Sequence, residues 1–214
     1  MSKKKTVETP RVEVGPVLSF TDAWKWVSKA VSDDPHRKVL CDPAIVKRNG
    51  ATFMEATNTH ILAIAKVADI YGKENGPVTL SGQGEWPKTD RVIPTEFIEF
   101  VELEAGKIRD AVKPLKELAK RTVWRLTIEQ DGPDLRLSAR DAIDRIEASA
   151  VIPIKNGKSI RFCVNYNYLL ASFAPAEDNQ IVRIEMTIYS RPLVVTIPYL
   201  GDSWKAVVMP MALH

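Results

Sequence analysis

One pattern constrains the fold of this chain more than any other. A strand, then a helix, then two or three strands is met three times in succession. The first copy runs from Val17 to Val67, the second from about Arg91 to Pro153, and the third from Ile160 to Met211. Recurrence of one supersecondary unit along a whole chain marks a repeat architecture, because each unit needs a neighbour to cover its apolar face. The helices would pack on one face of antiparallel sheets, an α+β arrangement.

The local signals behind each unit are physical. In the first, Val17 to Phe20 is strand-like. Thr21 or Asp22 can cap a helix over Ala23 to Val31, since a short side-chain oxygen accepts a free N–H of the first turn. Trp24, Val27 and Val31 fall on one side of it. Val39 to Val46 reads as a strand interrupted by Pro43. Asn49-Gly50 is a hairpin signal. Ala51 to Ala56 and His60 to Val67 follow as strands, with Thr57-Asn58-Thr59 turning between them. Tyr71 to Asp90 is rich in Gly, Pro and charge and reads as loop, with a short strand at Val78 to Leu80. Arg91 to Pro94 reads as a strand end and Thr95 to Glu104 as helix. Gly106 interrupts, and a second helix covers Lys107 to Arg121, where Pro114 removes a hydrogen bond and should kink or split it. Strands are expected at Val123 to Glu129, Asp134 to Ala139, Arg145 to Pro153 and Ser159 to Val164. A helix follows at Tyr166 to Phe173, then strands at Ile181 to Ile188, Pro192 to Pro198 and Trp204 to Met209.

Composition narrows the function classes. The chain has 214 residues, 45% of them hydrophobic, and a formal net charge of +3. That charge is too mild to identify a nucleic-acid binder without knowing where it sits. Cys41 and Cys163 match no metal spacing and read as thiols in a reducing compartment. No apolar run approaches the length needed to span a bilayer, so no membrane partner is expected. Residues 1–15, with Lys3-Lys4-Lys5, read as a flexible basic tail. There is no phosphate-cradling glycine loop, no metal-ligand spacing among the histidines and no nucleophile elbow, so neither an enzyme nor a cofactor is expected. Asp131, Asp134, Asp141 and Asp144 are turn residues on this reading.

The residues themselves resemble a known family. Arg161 to Leu170, reading RFCVNYNYLL, is similar to the signature of bacterial DNA polymerase III beta subunits, the DNA sliding clamps. Val182 to Met186, Arg191 to Val195 and the ending Val207-Val208-Met209-Pro210-Met211-Ala212-Leu213 continue in the same order. Glu55 to Ala63 resembles the family's Ala-Thr-Asp-Gly-His-Arg-Leu-Ala segment, with Asn58, Thr59 and Ile61 in place of Asp, Gly and Arg. Ala212 stands where Arg is usual. Ile93-Pro94 and Leu135 to Ala139 also fit. The family carries three domains of two units, whereas this chain has room for about three units, so it reads as a short, phage- or mobile-element-type member. The expected division is 16–104, a first clamp domain with a reduced second unit, and 105–214, a C-terminal clamp domain.

The resemblance implies a DNA clamp fold with helices lining a ring, antiparallel sheets outside it, and two surfaces. The first is a pocket for linear peptides of polymerases, clamp loaders and repair factors. By position it comprises Thr57, Thr59, His60, Ile61, Leu62, Val207, Val208, Met209, Pro210 and Met211. Ile61 and Ala212 make it more apolar than usual. The second surface would face duplex DNA: Lys25 and Lys29 on the first helix, and Lys107, Arg109, Lys113, Lys116, Lys120 and Arg121 on the second. Arg109, Lys113, Lys116 and Lys120 form a stripe at i, i+4, i+7 and i+11 that meets phosphates without reading bases. His36, Arg37 and Lys38 are weaker candidates. The implied partners are double-stranded DNA, a DNA polymerase, a clamp loader and other copies of the chain, in the cytoplasm of a bacterial or phage-infected cell. Three units per chain imply a tetrameric ring, and a fourth unit between Tyr71 and Asp90 a trimeric one. A clamp-derived regulator that binds partner peptides without encircling DNA is the alternative.

Overall fold

A computed structural model describes residues 15–68, 78–79, 84–158, 160–187 and 191–212. The expectations for residues 1–14, for Leu80, Ser159, Ile188 and Leu213, and for most of the 71–83 loop lie outside those residues. The strands are β1 (Ala44–Arg48), β2 (Ala51–Thr57), β3 (Ile61–Val67), β4 (Val78–Thr79), β5 (Glu99–Glu104), β6 (Arg125–Asp131), β7 (Asp134–Asp141), β8 (Ile146–Pro153), β9 (Asn156–Lys158), β10 (Arg161–Asn165), β11 (Ile181–Met186), β12 (Leu193–Thr196) and β13 (Trp204–Val208). The α-helices are α1 (Phe20–Val27), α2 (Ala105–Val112), α3 (Lys116–Arg121) and α4 (Tyr166–Ser172).

The second and third units are present in full, while the first lacks the leading strand expected at Val17 to Phe20, where Leu18 makes only an isolated bridge to Val67 and Phe20 already begins α1. One sheet has nine strands in the order β4-β1-β2-β3-β13-β12-β11-β5-β9, and the other has four in the order β10-β6-β7-β8. The second and third units exchange their leading strands. β5 pairs with β11 of the third unit, and β10 pairs with β6 of the second. The first unit joins through its last strand, β3, which pairs antiparallel with β13. All the ladders between named strands are antiparallel, so the α+β clamp arrangement is the one observed.

Several local expectations are corrected. Thr95 to Glu104 is not helical: β5 occupies Glu99–Glu104, with Val101 and Leu103 buried and the intervening residues half-buried. Its acidic side chains find cations: Glu102 pairs with Arg183 across the sheet, and Glu104 pairs with Lys107 of α2 and with Lys155. Pairing and burial override local pattern here. Gly106 does not interrupt α2 but lies in its first turn. The Asp178 backbone presses so close that a Cβ on Gly106 would sit 2.9 Å from Asp178 O. Glu104 ends β5 and is the cap residue of α2. α1 begins earlier than expected, with Ser19 rather than Thr21 or Asp22 as its cap; Ser19 Oγ accepts from Asp22 N at 3.1 Å. Trp24 is exposed, and Trp26 instead meets Trp204 edge-on. Pro43 displaces the first strand to Ala44–Arg48, and Lys38–Leu40 and Thr89–Val92 form 3₁₀ turns where strand was expected.

Other signals hold. Asn49 and Gly50 have φ of 49° and 77°, the left-handed pair that a two-residue hairpin turn demands. Pro114 does split its helix, leaving a 3₁₀ turn at Lys113–Leu115 between α2 and α3.

One main core joins both sheets to the helices. Val27, Ile108, Val112, Leu115, Ala119 and Leu169 come from the helical layer, and Ala63, Val101, Leu126, Phe162, Val182 and Trp204 from the strands. Trp204 is fully buried, and its Nε1 donates to Ser172 O of α4 at 2.9 Å. It therefore ties β13 to two helices at once. Trp204→Ala should cost about 3–5 kcal/mol, read from denaturant midpoints, because it leaves a large cavity and an unmet carbonyl.

Candidate functional site: an outer-face pocket and a basic helical face

The β3–β13 junction divides its side chains between two faces. Ile61, Ala63, Ala65, Trp204, Ala206 and Val208 enter the helix-side core, while Leu62, Ile64 and Val207 form a separate cluster on the other face with Val194. That other face carries a cavity of about 540 Å³. Cavities of this size hold a short run of side chains.

The β2–β3 turn shapes one wall by local hydrogen bonding. Asn58 Oδ1 accepts from His60 N at 3.0 Å and Ile61 N at 3.1 Å, and Thr57 Oγ1 accepts from Thr59 N at 3.1 Å. Thr59 sits at φ 79°, in the left-handed region that favours glycine. Arg37 Nη1 donates to Thr59 Oγ1 at 3.3 Å from the opposite wall. The His60 ring lies parallel to Tyr168 of α4, with centroids 6.0 Å apart, and His60 O accepts from Met209 N at 2.8 Å.

Seven of the ten expected pocket residues line this cavity: Thr57, Thr59, His60, Ile61, Leu62, Val207 and Met209. Three do not. Val208 alternates to the opposite face and is buried in the main core. Pro210 and Met211 leave the ladder, and Met211 N donates to Cys163 O at 2.7 Å, pinning the end of the chain against β10. Met209 also borders a second cavity of about 650 Å³, lined by Ile93, Pro94, Arg191 and Pro192 among others. Val92 and Met209 line both cavities.

Sequence reasoning missed the facing wall. His36, Arg37, Val39 and Leu40 come from the segment after α1, Pro87 and Thr89 from the stretch read as loop, and Val92 from the expected strand end at Arg91 to Pro94. One signal was present, a lone tryptophan in a polar run. Trp86 is buried against Leu40, Ala44 and Val46.

A buried carboxylate anchors that wall. Glu55 lies on β2, has no exposed surface, and is paired with Arg48. Trp86 Nε1 donates to Glu55 Oε2 at 3.2 Å and Thr89 Oγ1 donates to it at 2.8 Å. Arg48 also donates to Thr89 Oγ1 at 2.6 Å and forms an ion pair with Asp90 at 2.7 Å. Burial pushes the Glu55 carboxyl above the usual carboxylate range, against the opposing pull of Arg48, Thr89 and Trp86. A carboxyl whose pKa is higher in the folded state contributes stability that is present at low pH and lost as pH rises through its folded value.

The expected DNA-facing residues separate into two groups. Arg109 is committed internally. It pairs with Asp178, donates to Ala176 O at 2.6 Å and lies 5.3 Å over the Phe173 ring, clipping α2 to the end of α4. Lys107 pairs with Glu104 at 3.2 Å. Lys25, Lys29, Lys113, Lys116, Lys120 and Arg121 are exposed, with Arg121 3.6 Å from Asp144. The Lys29 ammonium is held below its usual range by partial burial and by the charges of Lys25 and Arg109. The 3₁₀ turn at Pro114 breaks the uniform stripe expected from 109 to 120, while Asp110 and Glu117 interleave with the lysines. His36 and Arg37 lie at the pocket, on its rim. Among the described residues no cluster of potential metal ligands occurs, and no helix is long and apolar enough to cross a membrane.

The Glu55 anchor makes a signed prediction. The stability of Glu55→Gln relative to the unsubstituted chain should move in favour of the glutamine variant as pH rises from about 4 to about 7. Chemical denaturation across that range measures it. A shift in the other direction would mean that Arg48 outweighs burial.

No protein-family model and no curated protein sequence matches the chain. Solved structures do. A DNA polymerase III subunit beta sliding clamp from Pseudomonas aeruginosa, bound to griselimycin, superposes with a TM-score of 0.78 at 18% identity, covering 98% of this chain and 68% of that one. The beta subunit from DNA polymerase of Streptococcus pyogenes gives 0.79 at 15% identity, covering 99% and 69%. The Thermotoga maritima beta subunit gives 0.76 at 13% identity, covering 99% and 69%. This chain therefore spans about two thirds of the length of those clamps and has the sliding-clamp fold of bacterial DNA polymerase III beta subunits.

Proposed function

We propose that this chain is a sliding clamp: a non-enzymatic ring subunit that encircles duplex DNA and holds replication proteins beside it. The observation that carries the reading is the pairing of two features on opposite faces of one sheet system. An apolar groove centred on Leu62, Val207 and Met209 lies on one face. The helical layer with Lys25, Lys29, Lys113, Lys116, Lys120 and Arg121 covers the other.

Each face has a physical task on this reading. The groove takes apolar anchors of a short peptide from a polymerase or a clamp loader. Its walls are mostly apolar, and the unbranched Met209 side chain adapts to different ligands. The lysines meet phosphates without reading bases, so the ring slides. Closure around DNA slows dissociation, and the bound peptide keeps a polymerase at high effective concentration. Several copies of the chain are needed, since three units do not close a ring. The cytoplasm of a bacterial or phage-infected cell is the compartment implied.

Two experiments test this. Fluorescent peptides carrying Leu and Phe anchors should bind the chain, and Met209→Glu should weaken them by about tenfold or more, roughly 1.4 kcal/mol, with an unchanged melting temperature. Unaltered peptide affinity in that variant would remove the groove from the reading. Retention on nicked circular DNA, with release on linearisation, should fall when Lys113, Lys116 and Lys120 are all changed to Glu. A persistent monomer of 23.9 kDa at micromolar concentration would sink the ring. Such a monomer that still binds the peptides would instead be a clamp-derived regulator.

A further inference from the structure

The second cavity is chemically unlike the first. It measures about 650 Å³, and Ile93, Pro94, Pro192 and Met209 make its apolar side. Arg91 and Arg191 border it as well. Both are exposed, and among the described residues neither makes an ion pair or a hydrogen bond. Arg48, Arg109 and Arg183, by contrast, are each held by a carboxylate. Asp90, the acidic neighbour of Arg91, is taken by Arg48. Glu96 borders the cavity too and pairs with neither arginine. Thr187, the residue after β11, also borders it, and its Oγ1 is buried without a hydrogen-bond partner. A buried hydroxyl left unmet is costly, and in a native protein such an atom marks a place for a partner.

The position of the cavity says which kind of partner. Ile93 packs on the outer-face cluster of Leu62, Ile64, Val194 and Val207, so the cavity lies on the side of the sheet away from the helical layer. Val92 and Met209 line both cavities, which puts the second beside the first. Positive charge at the first cavity is already engaged. Arg37 donates to Thr59 and pairs with Asp34, and Lys88 shares its rim with Glu85.

We propose that the second cavity is a carboxylate subsite, which selects, among peptides anchored in the first cavity, those with an acidic group next to the apolar anchors. The subsite rests on the peptide-binding reading of the first cavity and narrows its ligand. A guanidinium presents paired donors in a plane that matches a carboxylate. Thr187 Oγ1 supplies a further donor, on a hydroxyl that turns to suit its acceptor. A phosphate backbone offers nothing to the apolar side of this cavity. A peptide with Leu or Phe beside an acidic group matches both halves. An acidic side chain and a free chain terminus bring the same carboxylate. Because the two arginines are exposed, the selectivity is sensitive to salt.

Four fluorescent peptides with the same Leu and Phe anchors test this on the full chain. One is neutral and amidated, one has Asp before the anchors, one has Asp after them, and one ends in a free carboxylate. At low salt at least one acidic peptide should bind about tenfold more tightly than the neutral one, and the gap should narrow in about 0.5 M salt. The peptide that gains tells a side chain from a terminus. Arg91→Gln combined with Arg191→Gln should remove the gap, leaving the neutral peptide's affinity and the melting temperature unchanged. Thr187→Val should narrow it. Arg37→Gln combined with Lys88→Gln, at the first cavity, should leave it intact. Equal affinity for all four peptides overturns the carboxylate subsite and leaves the peptide-binding reading standing. A gap that survives loss of Arg91 and Arg191 also overturns the subsite, as does loss of DNA retention in that variant with every peptide affinity unchanged. If none of the four binds, the peptide-binding reading itself fails, and the subsite with it.

Discussion

The β3–β13 ladder is the constraint on which the rest of this structure depends. It is the seam between the first unit and the other two, and it is the floor of the groove. Register Leu62↔Val207 and Ala63↔Ala206 puts Ala63 and Ala206 towards the helices and Leu62 and Val207 towards the outer face. Side chains alternate with a period of two, so a slip by one residue would put Leu62 and Val207 under the helices and alanines into the groove. The position of Met209 follows from the same ladder, because its N–H is still bonded to His60 O one step beyond the strand.

Arginines serve as fasteners between segments that are distant in sequence. Arg48 draws Thr89 and Asp90 onto β1 and β2, Arg109 clips α2 to the end of α4, and Arg183 joins Glu102 and Glu185 while lying 4.0 Å over the Phe100 ring. A guanidinium presents several donors in a fixed plane and suits this role better than an ammonium. The exposed cations of the helical face are consequently mostly lysines, which stay hydrated and mobile enough to follow a polyanion. The formal charge of +3 thus conceals a division between internal and exterior positive charge.

The legibility of the site was uneven for a physical reason. Thr57, Thr59, His60, Ile61, Leu62, Val207 and Met209 were placed at the pocket by the resemblance of two short motifs to the clamp family, and they line the cavity. Val208 was carried over with them, and strand alternation sends it to the other face. Arg109 was placed on a basic stripe by helical spacing, but its fate is set by Asp178 and Ala176, which belong to another unit. The wall at Pro87 to Val92 carried no motif at all; it is held by a buried Glu55 on β2 whose partners are Arg48 of β1 and Trp86 and Thr89 of the later stretch.

By itself the sequence determined the three-fold recurrence of units, the Asn49-Gly50 hairpin, the break at Pro114 and the α+β class, because each rests on local backbone preference or on hydrophobic periodicity. Only the tertiary structure decided that Glu99–Glu104 is a strand, that Gly106 continues a helix, that leading strands are exchanged between units, and which residues face one another across the groove. Those outcomes depend on pairing and close approach between residues far apart in the chain, and no local pattern encodes a partner that the fold has yet to bring near.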